Sequence, residues 1–190
     1  MKKILVLLAI AFPVLVLAQN YKINGNAEIK VEGTSTLHDW HMISEQASGT
    51  ADIDFDHGSL IEFNDVKFSF VTETLKSGKS KMDELTYEAL KTDKHPKMHF
   101  SMEGTSIIKP LEGNKYNVTI KGKLTIAGTT KNVQLEGICK IKGSVLEITG
   151  SKKLKMTDFN VDPPTAVFGT IKTGDDINVV YKVNLVKVAL

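Results

Sequence analysis

Apolar and polar residues alternate along most of the chain beyond residue 20, and a period of two is typical of strands with one buried face. The alternation recurs in segments 27–31, 53–55, 66–70, 98–102, 116–126, 133–141, 146–156 and 177–185. Turn sequences such as Asp56-His57-Gly58-Ser59 and Lys142-Gly143-Ser144 separate these segments. Gly122 interrupts no alternation and predicts a bend within its strand. Roughly eight antiparallel strands at this spacing favour a barrel or a sandwich.

One segment has helical spacing instead. Ser80 followed by Asp83 matches a capping box, with Ser80 as N-cap. Apolar residues then recur every three or four positions, and Pro96 prevents the helix from continuing. We therefore predict a helix over residues 81–92 that crosses between strands.

The N-terminal segment is typical of an export signal. Met1-Lys2-Lys3 is followed by an apolar run from Ile4 to Leu17, which is short for a membrane span. Val16 and Ala18 occupy the −3 and −1 positions of a cleavage site. We expect residues 1–18 to be a signal peptide cleaved after Ala18, and residues 19–190 to form one β domain, periplasmic or secreted, without a membrane span.

Charge and cysteine content exclude several functions. The net charge is +2, but removing Lys2 and Lys3 from the 24 basic residues leaves 22 against 22 acidic residues. All the basic residues are lysine, so the bidentate arginine contacts common in nucleic-acid recognition are missing, and we expect no nucleic-acid partner. One cysteine, Cys139, rules out an internal disulfide framework and is interpreted as a buried strand residue.

Candidate chemistry is sparse. His38 and His41 are three residues apart, and such residues on a strand point to opposite faces, so we predict no metal site and no cofactor. The chain lacks nucleophile-elbow, P-loop, dinucleotide-binding and zinc-protease motifs. An enzymatic alternative would need a cluster of polar residues inside the barrel, for which the candidates are His38, Asp39, His95 and His99.

Four motifs in order resemble those of the YceI-like family of periplasmic lipid- or polyisoprenoid-binding proteins. They are Gly33-Thr34-Ser35-Thr36-Leu37-His38-Asp39-Trp40, the stretch from Met82-Asp83 to His95-Pro96-Lys97-Met98-His99-Phe100, the stretch from Gly122 to Lys131 with Val133 and Leu135, and Thr157-Asp158-Phe159 with Pro163-Pro164. Together they span nearly all of residues 21–187.

The resemblance implies a lipocalin-like, eight-stranded antiparallel barrel with one short crossing helix and a long apolar cavity. It implies an isoprenoid or other lipid ligand and no catalytic residue. Many relatives have His-Ser in the first motif, whereas here Asp39-Trp40 follows His38, so we expect an indole near the mouth to alter the pocket. The predicted ligand-binding residues are Trp40, Phe63, Phe68, Phe70, Phe100, Tyr116, Val118, Ile120, Leu124 and Ile126.

Two points stay open in the sequence. The inward aromatic residues are equally compatible with a filled core, which would make the protein a structural or stress-related barrel without a ligand. Lys152 lies an even number of residues from Ile148 and Leu154, so on a strand it would face the inside of the barrel with them, where a lone charge is costly. We expect either a bulge near Gly150-Ser151 that resets the register, or an ammonium group near a ligand headgroup at the mouth.

Overall fold

The alternating segments form one antiparallel sheet in the computed structural model, which describes residues 17–188. The strands are β1 (Leu17–Ser35), β2 (Trp40–Ser44), β3 (Ser48–Asp56), β4 (Ser59–Val71), β5 (Lys97–Met102), β6 (Ile107–Leu111), β7 (Lys115–Ile126), β8 (Thr129–Lys142), β9 (Val145–Lys155), β10 (Thr165–Ala166) and β11 (Ile171–Lys187). Helix α1 (Ser80–Leu90) and two 3₁₀ turns (Thr72–Thr74 and Thr157–Phe159) lie in the connections. Residues 1–16 of the predicted signal peptide lie outside the described residues, so its cleavage stays a prediction.

The sheet closes on itself because β1 and β11 pair along almost their whole length, from Tyr21 opposite Lys187 to Ser35 opposite Thr173. The closed wall runs β1, β3, β4, β5, β7, β8, β9, β11 and back to β1. Strands β2, β6 and β10 pair on β1, β7 and β11 respectively. The predicted eight-stranded antiparallel barrel is thus confirmed, and the sandwich is excluded.

The structure also confirms which alternate residues of the strands face the inside of the barrel. Phe68 and Phe70 of β4 lie opposite Phe100 and Met98 of β5 on the inner face, whereas His99 between them is exposed. Inside the barrel, buried side chains at one end form a packed cluster: Tyr21, Ala51, Ile53, Leu60, Phe63, Phe100, Met102, Val118, Cys139, Leu146 and Leu185. We call this cluster the floor of the barrel.

Gly122 lies where β7 changes its neighbour. The strand pairs with β6 as far as Thr119 and with β5 from Gly122 onward. A Cβ atom at Gly122 would overlap the carbonyl oxygen of Ser101 and approach the Phe100 ring within 2.7 Å. Glycine is therefore required by the close approach of two backbones, and the strand continues through it as the sequence predicts.

Helix α1 begins slightly earlier and ends earlier than predicted. Lys79 is its N-cap, so the prediction of Ser80 as N-cap is wrong. Asp83 reaches back instead to the preceding loop, where its carboxylate accepts hydrogen bonds from the Ser77 backbone amide at 2.8 Å and the Ser77 hydroxyl at 2.6 Å. Lys91 ends the helix in the left-handed conformation, with φ of 55°. The Asp83 hydrogen bonds therefore tie the first turn of the helix to the loop that precedes it.

Candidate ligand cavity

A cavity of about 520 Å³ occupies the barrel above the floor. Apolar side chains from β1, β4, β5, β7, β8, β9, β11 and α1 line it, and this volume lies within the usual range for small-molecule sites. Exposed Leu37, His38 and Lys79 line one end, which we call the mouth. The interior is therefore filled at the floor and hollow towards the mouth, which combines the two alternatives left open by the sequence.

All the predicted ligand-binding residues except Tyr116 line this cavity; they are Trp40, Phe63, Phe68, Phe70, Phe100, Val118, Ile120, Leu124 and Ile126. Tyr116 shares their inward parity but packs against the floor, opposite Cys139 of β8. Burial raises the pKa of the Cys139 thiol to about 12, so the thiol stays protonated and behaves as a core residue. Tyr116 therefore lies outside the cavity lining, and ligand contact by the predicted residues stays a prediction.

Helix α1 forms part of the cavity wall. Its apolar residues Met82, Leu85, Ala89 and Leu90 line the cavity. Thr86 donates hydrogen bonds to the Met82 carbonyl at 2.9 Å and to the Met42 sulfur at 3.3 Å, which joins the helix to β2. The helical spacing in the sequence predicted this apolar face but gave no sign that it borders a cavity.

Trp40 lies near the mouth, as the sequence predicts, and its indole is held in one position. The indole Nε1 donates a hydrogen bond to the Thr34 carbonyl at 2.9 Å. The ring covers Gly33 so closely that a Cβ atom there would overlap it. Since the chain contains one tryptophan, its fluorescence reports specifically on this end of the cavity.

Lys152 lines the cavity from β9. The pairing of β9 with β11 runs from Lys155 to Val145 without a register shift, so the expected bulge near Gly150-Ser151 is wrong. Lys152 therefore keeps its inward position, opposite Val179, and its side chain is partly exposed.

Tyr181 spans the point where two strands of the wall separate. The pairing of β8 with β9 stops at Gly137 opposite Gly150. The Tyr181 hydroxyl donates a hydrogen bond of 2.7 Å to the Glu136 carbonyl just beyond that point. Gly150 leaves the space for it, since a Cβ atom there would lie 2.5 Å from the hydroxyl oxygen. Tyr181 lines the cavity but was missing from the predicted site, although its inward parity in β11 marked it.

The family model of the YceI-like domain matches residues 18–185 of the chain. The chain belongs to the YceI-like family. Solved structures similar to this YceI-like domain have low sequence identity and share its fold. BcnA from Burkholderia cenocepacia has a TM-score of 0.65 at 17% identity, covering 83% of this chain and 95% of its own. A polyisoprenoid binding domain from Saccharophagus degradans has a TM-score of 0.62 at 8% identity, and the match covers 88% of this chain and 98% of that domain. The YceI protein of Campylobacter jejuni has a TM-score of 0.57 at 20% identity, and the match covers 100% of both chains. None of the curated proteins compared with the chain matches it.

The residues of the enzymatic alternative are dispersed in this YceI-like domain. His38 and Asp39 are exposed in the loop between β1 and β2, and His99 is exposed on the outer face of β5. His95 precedes β5, and its ring lies over Gly128. Within residues 17–188, no three His, Cys, Asp or Glu side chains are grouped as metal ligands. In the same range, no helix is long and apolar enough to cross a membrane.

Alkaline pH is expected to destabilise the YceI-like domain through Tyr181. Burial, and secondarily the Glu136 charge, raises its pKa from 10.0 to about 12. Between these values the unfolded chain binds fewer protons than the folded chain, so stability falls as pH rises. A shift of this size corresponds to a loss of roughly 2 kcal/mol by pH 12.

Urea denaturation across this pH range tests the effect in the parent and in Tyr181→Phe. At neutral pH the variant loses about 1 kcal/mol with its hydrogen bond. Its stability should then fall less steeply than that of the parent above pH 10, the unshifted pKa of tyrosine. Equal slopes for both proteins would contradict the assignment to Tyr181.

Proposed function

We propose that this YceI-like domain binds one apolar or amphiphilic chain, an isoprenoid or another lipid, and shields it from water. The observation that supports this most directly is the 520 Å³ apolar cavity above a packed floor. A barrel that served only as a structural element would gain stability by filling this space, because unfilled volume forfeits packing contacts. The similarity in fold to a protein described as a polyisoprenoid binding domain supports the same class of ligand.

The proposed mechanism is burial, with no bond made or broken. Each methylene transferred from water contributes about 0.8 kcal/mol, so ten buried carbons contribute roughly 8 kcal/mol. The ligand's lost freedom offsets several kcal/mol of this gain. For ten carbons the surplus of about 4 kcal/mol corresponds to a Kd of about 1 mM, and a chain with about fifteen buried carbons would reach the micromolar range. Trp40 near the mouth and the Phe68, Phe70 and Phe100 rings deeper in the cavity supply the contact surface.

We also propose that the domain acts outside the cytoplasm, after export and cleavage following Ala18. The basic start and apolar run of residues 1–17 support this proposal. A mature chain beginning at Gln19 would keep the β1–β3 pairing from the Gln19–Ile53 pair onward. The barrel closure between β1 and β11, which starts at Tyr21, would be unaffected.

Native mass spectrometry of the exported full chain tests both proposals in one sample. We expect a mature mass that begins at Gln19 and an additional mass of lipid size that disappears on denaturation. Delipidated protein should then respond to a long apolar probe through a change in Trp40 fluorescence. A ligand-free protein whose fluorescence is indifferent to such probes would overturn the binding function. An intact N-terminus at Met1 would overturn the export proposal alone.

A further inference from the structure

Lys152 is a cation in an otherwise apolar part of the cavity. On β9 the next inward side chain towards the mouth is Leu154, and the next one towards the floor, beyond Gly150, is Ile148. On the neighbouring strand β11 it is paired with Val179, which is paired in turn with Val31 of β1. A partly buried ammonium group is costly in such surroundings unless an opposite charge neutralises it.

The chain supplies no such charge within residues 17–188. Other lysines around the cavity are paired: Lys67 with Asp65 at 2.6 Å, Lys81 with Glu84 at 2.9 Å and Lys155 with Asp176 at 2.8 Å. Lys79 is exposed to solvent at the mouth. In this range Lys152 has no ion pair and no hydrogen bond. Glu136 also lines the cavity, but its carboxylate accepts a hydrogen bond from Gln134 and forms no ion pair with Lys152. An anionic ligand group in the cavity would supply the partner that Lys152 lacks among these residues.

The strand register gives the position of Lys152 along the barrel. Its layer contains Val179, Val31 and Met42, and the layer above it, next to the mouth, ends in Trp40. Leu146 in the floor is six residues away on the same strand, about 20 Å at the rise of a β-strand. A headgroup at Lys152 therefore lies near the mouth, with most of the hollow barrel between it and the floor available to a tail.

We propose that Lys152 binds the headgroup of a long-chain carboxylate whose tail extends towards the floor. This inference rests on the proposed function and names its ligand class. One ammonium group neutralises one negative charge, whereas a diphosphate headgroup would leave further charges in apolar surroundings. The Tyr181 hydroxyl in the next layer is already committed to the Glu136 carbonyl, so the headgroup contact is made by Lys152.

The test compares dodecanoate with dodecan-1-ol, two probes with the same tail, by Trp40 fluorescence at neutral pH. The parent should bind the carboxylate about tenfold more tightly than the alcohol, as expected for a charge-assisted hydrogen bond. Lys152→Met should abolish this preference by weakening carboxylate binding, with alcohol binding unchanged or tighter. Lys153→Met is the matched control, since Lys153 is exposed on the outer face of the same strand, and should retain the preference.

A parent that binds both probes equally, or a Lys152→Met variant that keeps the preference, would overturn the headgroup assignment while leaving the proposed function intact. A parent that binds neither probe would overturn both. Thermal melting checks that the variants fold. Lys152→Gln, which keeps polarity without charge, provides a second test and should also lose the preference.

Discussion

Phe68→Asp is expected to leave the barrel folded and to abolish binding of a long apolar chain. Phe68 lines the cavity and is half-buried, with its ring edge-on to Phe70 at a centroid distance of 6.2 Å. Water that enters the cavity can hydrate the new carboxylate. An apolar ligand would strip that water away at a cost of several kcal/mol, which corresponds to a loss of affinity of about 100-fold or more.

A thermal melt and a Trp40 fluorescence titration on the same protein measure both effects. Phe68→Leu should fold and bind like the parent, because it keeps an apolar side chain at this position. Ile53→Asp places the same charge at a residue that is 0% exposed in the floor, and this variant should unfold. If Phe68→Asp bound the probe as tightly as the parent, Phe68 would not lie in the ligand site. If it unfolded like Ile53→Asp, the interior around Phe68 would be packed.

Leu146→Ala should lose roughly 2–5 kcal/mol of stability, as expected for truncating a buried leucine. Leu146 is 2% exposed and belongs to the buried cluster of the floor. Ile148, two residues further along β9, borders the cavity and already has fewer partners on that side. Ile148→Ala should therefore lose less, at most about 2 kcal/mol for its three carbons.

Urea denaturation of both variants measures this difference, with an unchanged slope showing that the same surface unfolds. Folded Leu146→Ala should still bind the apolar probe as the parent does, because the floor stays beneath the ligand. Equal losses of stability for the two variants would contradict the division of the barrel into a packed floor and a hollow upper part.

Alternation predicted the wall of the barrel because a period of two records directly which face of each strand is buried. The short strands escaped this reasoning. In β6, Ile107 and Leu111 are exposed by 51% and 47%, so its apolar residues do not mark a buried face. Strand β10 contains two residues, too few to show any period. Both strands depend on pairing with a longer neighbour, and their own residue patterns do not show it.

The sequence predicted which residues of the candidate site face the inside of the barrel, but it did not predict their height along the barrel axis. Parity assigned Tyr116 and Tyr181 correctly to the inside, but it gives no height along the barrel axis. Register determines that height, and it places Tyr116 against the floor and Tyr181 beside the cavity. The same limit applies to Lys152: its parity was correct, but the continuous pairing with β11 that keeps it inward is a property of two strands together.

The separation of floor and cavity has an evolutionary consequence. Residues such as Ile53 and Leu146 belong to the packed floor, whereas Phe68 and Lys152 border the cavity and are expected to contribute less to stability. Substitutions around the cavity can therefore accumulate without lowering the free energy of unfolding so far that the marginally stable protein unfolds. Ligand preference can therefore change while the architecture persists, and structures with 8% and 20% identity to this chain share its fold.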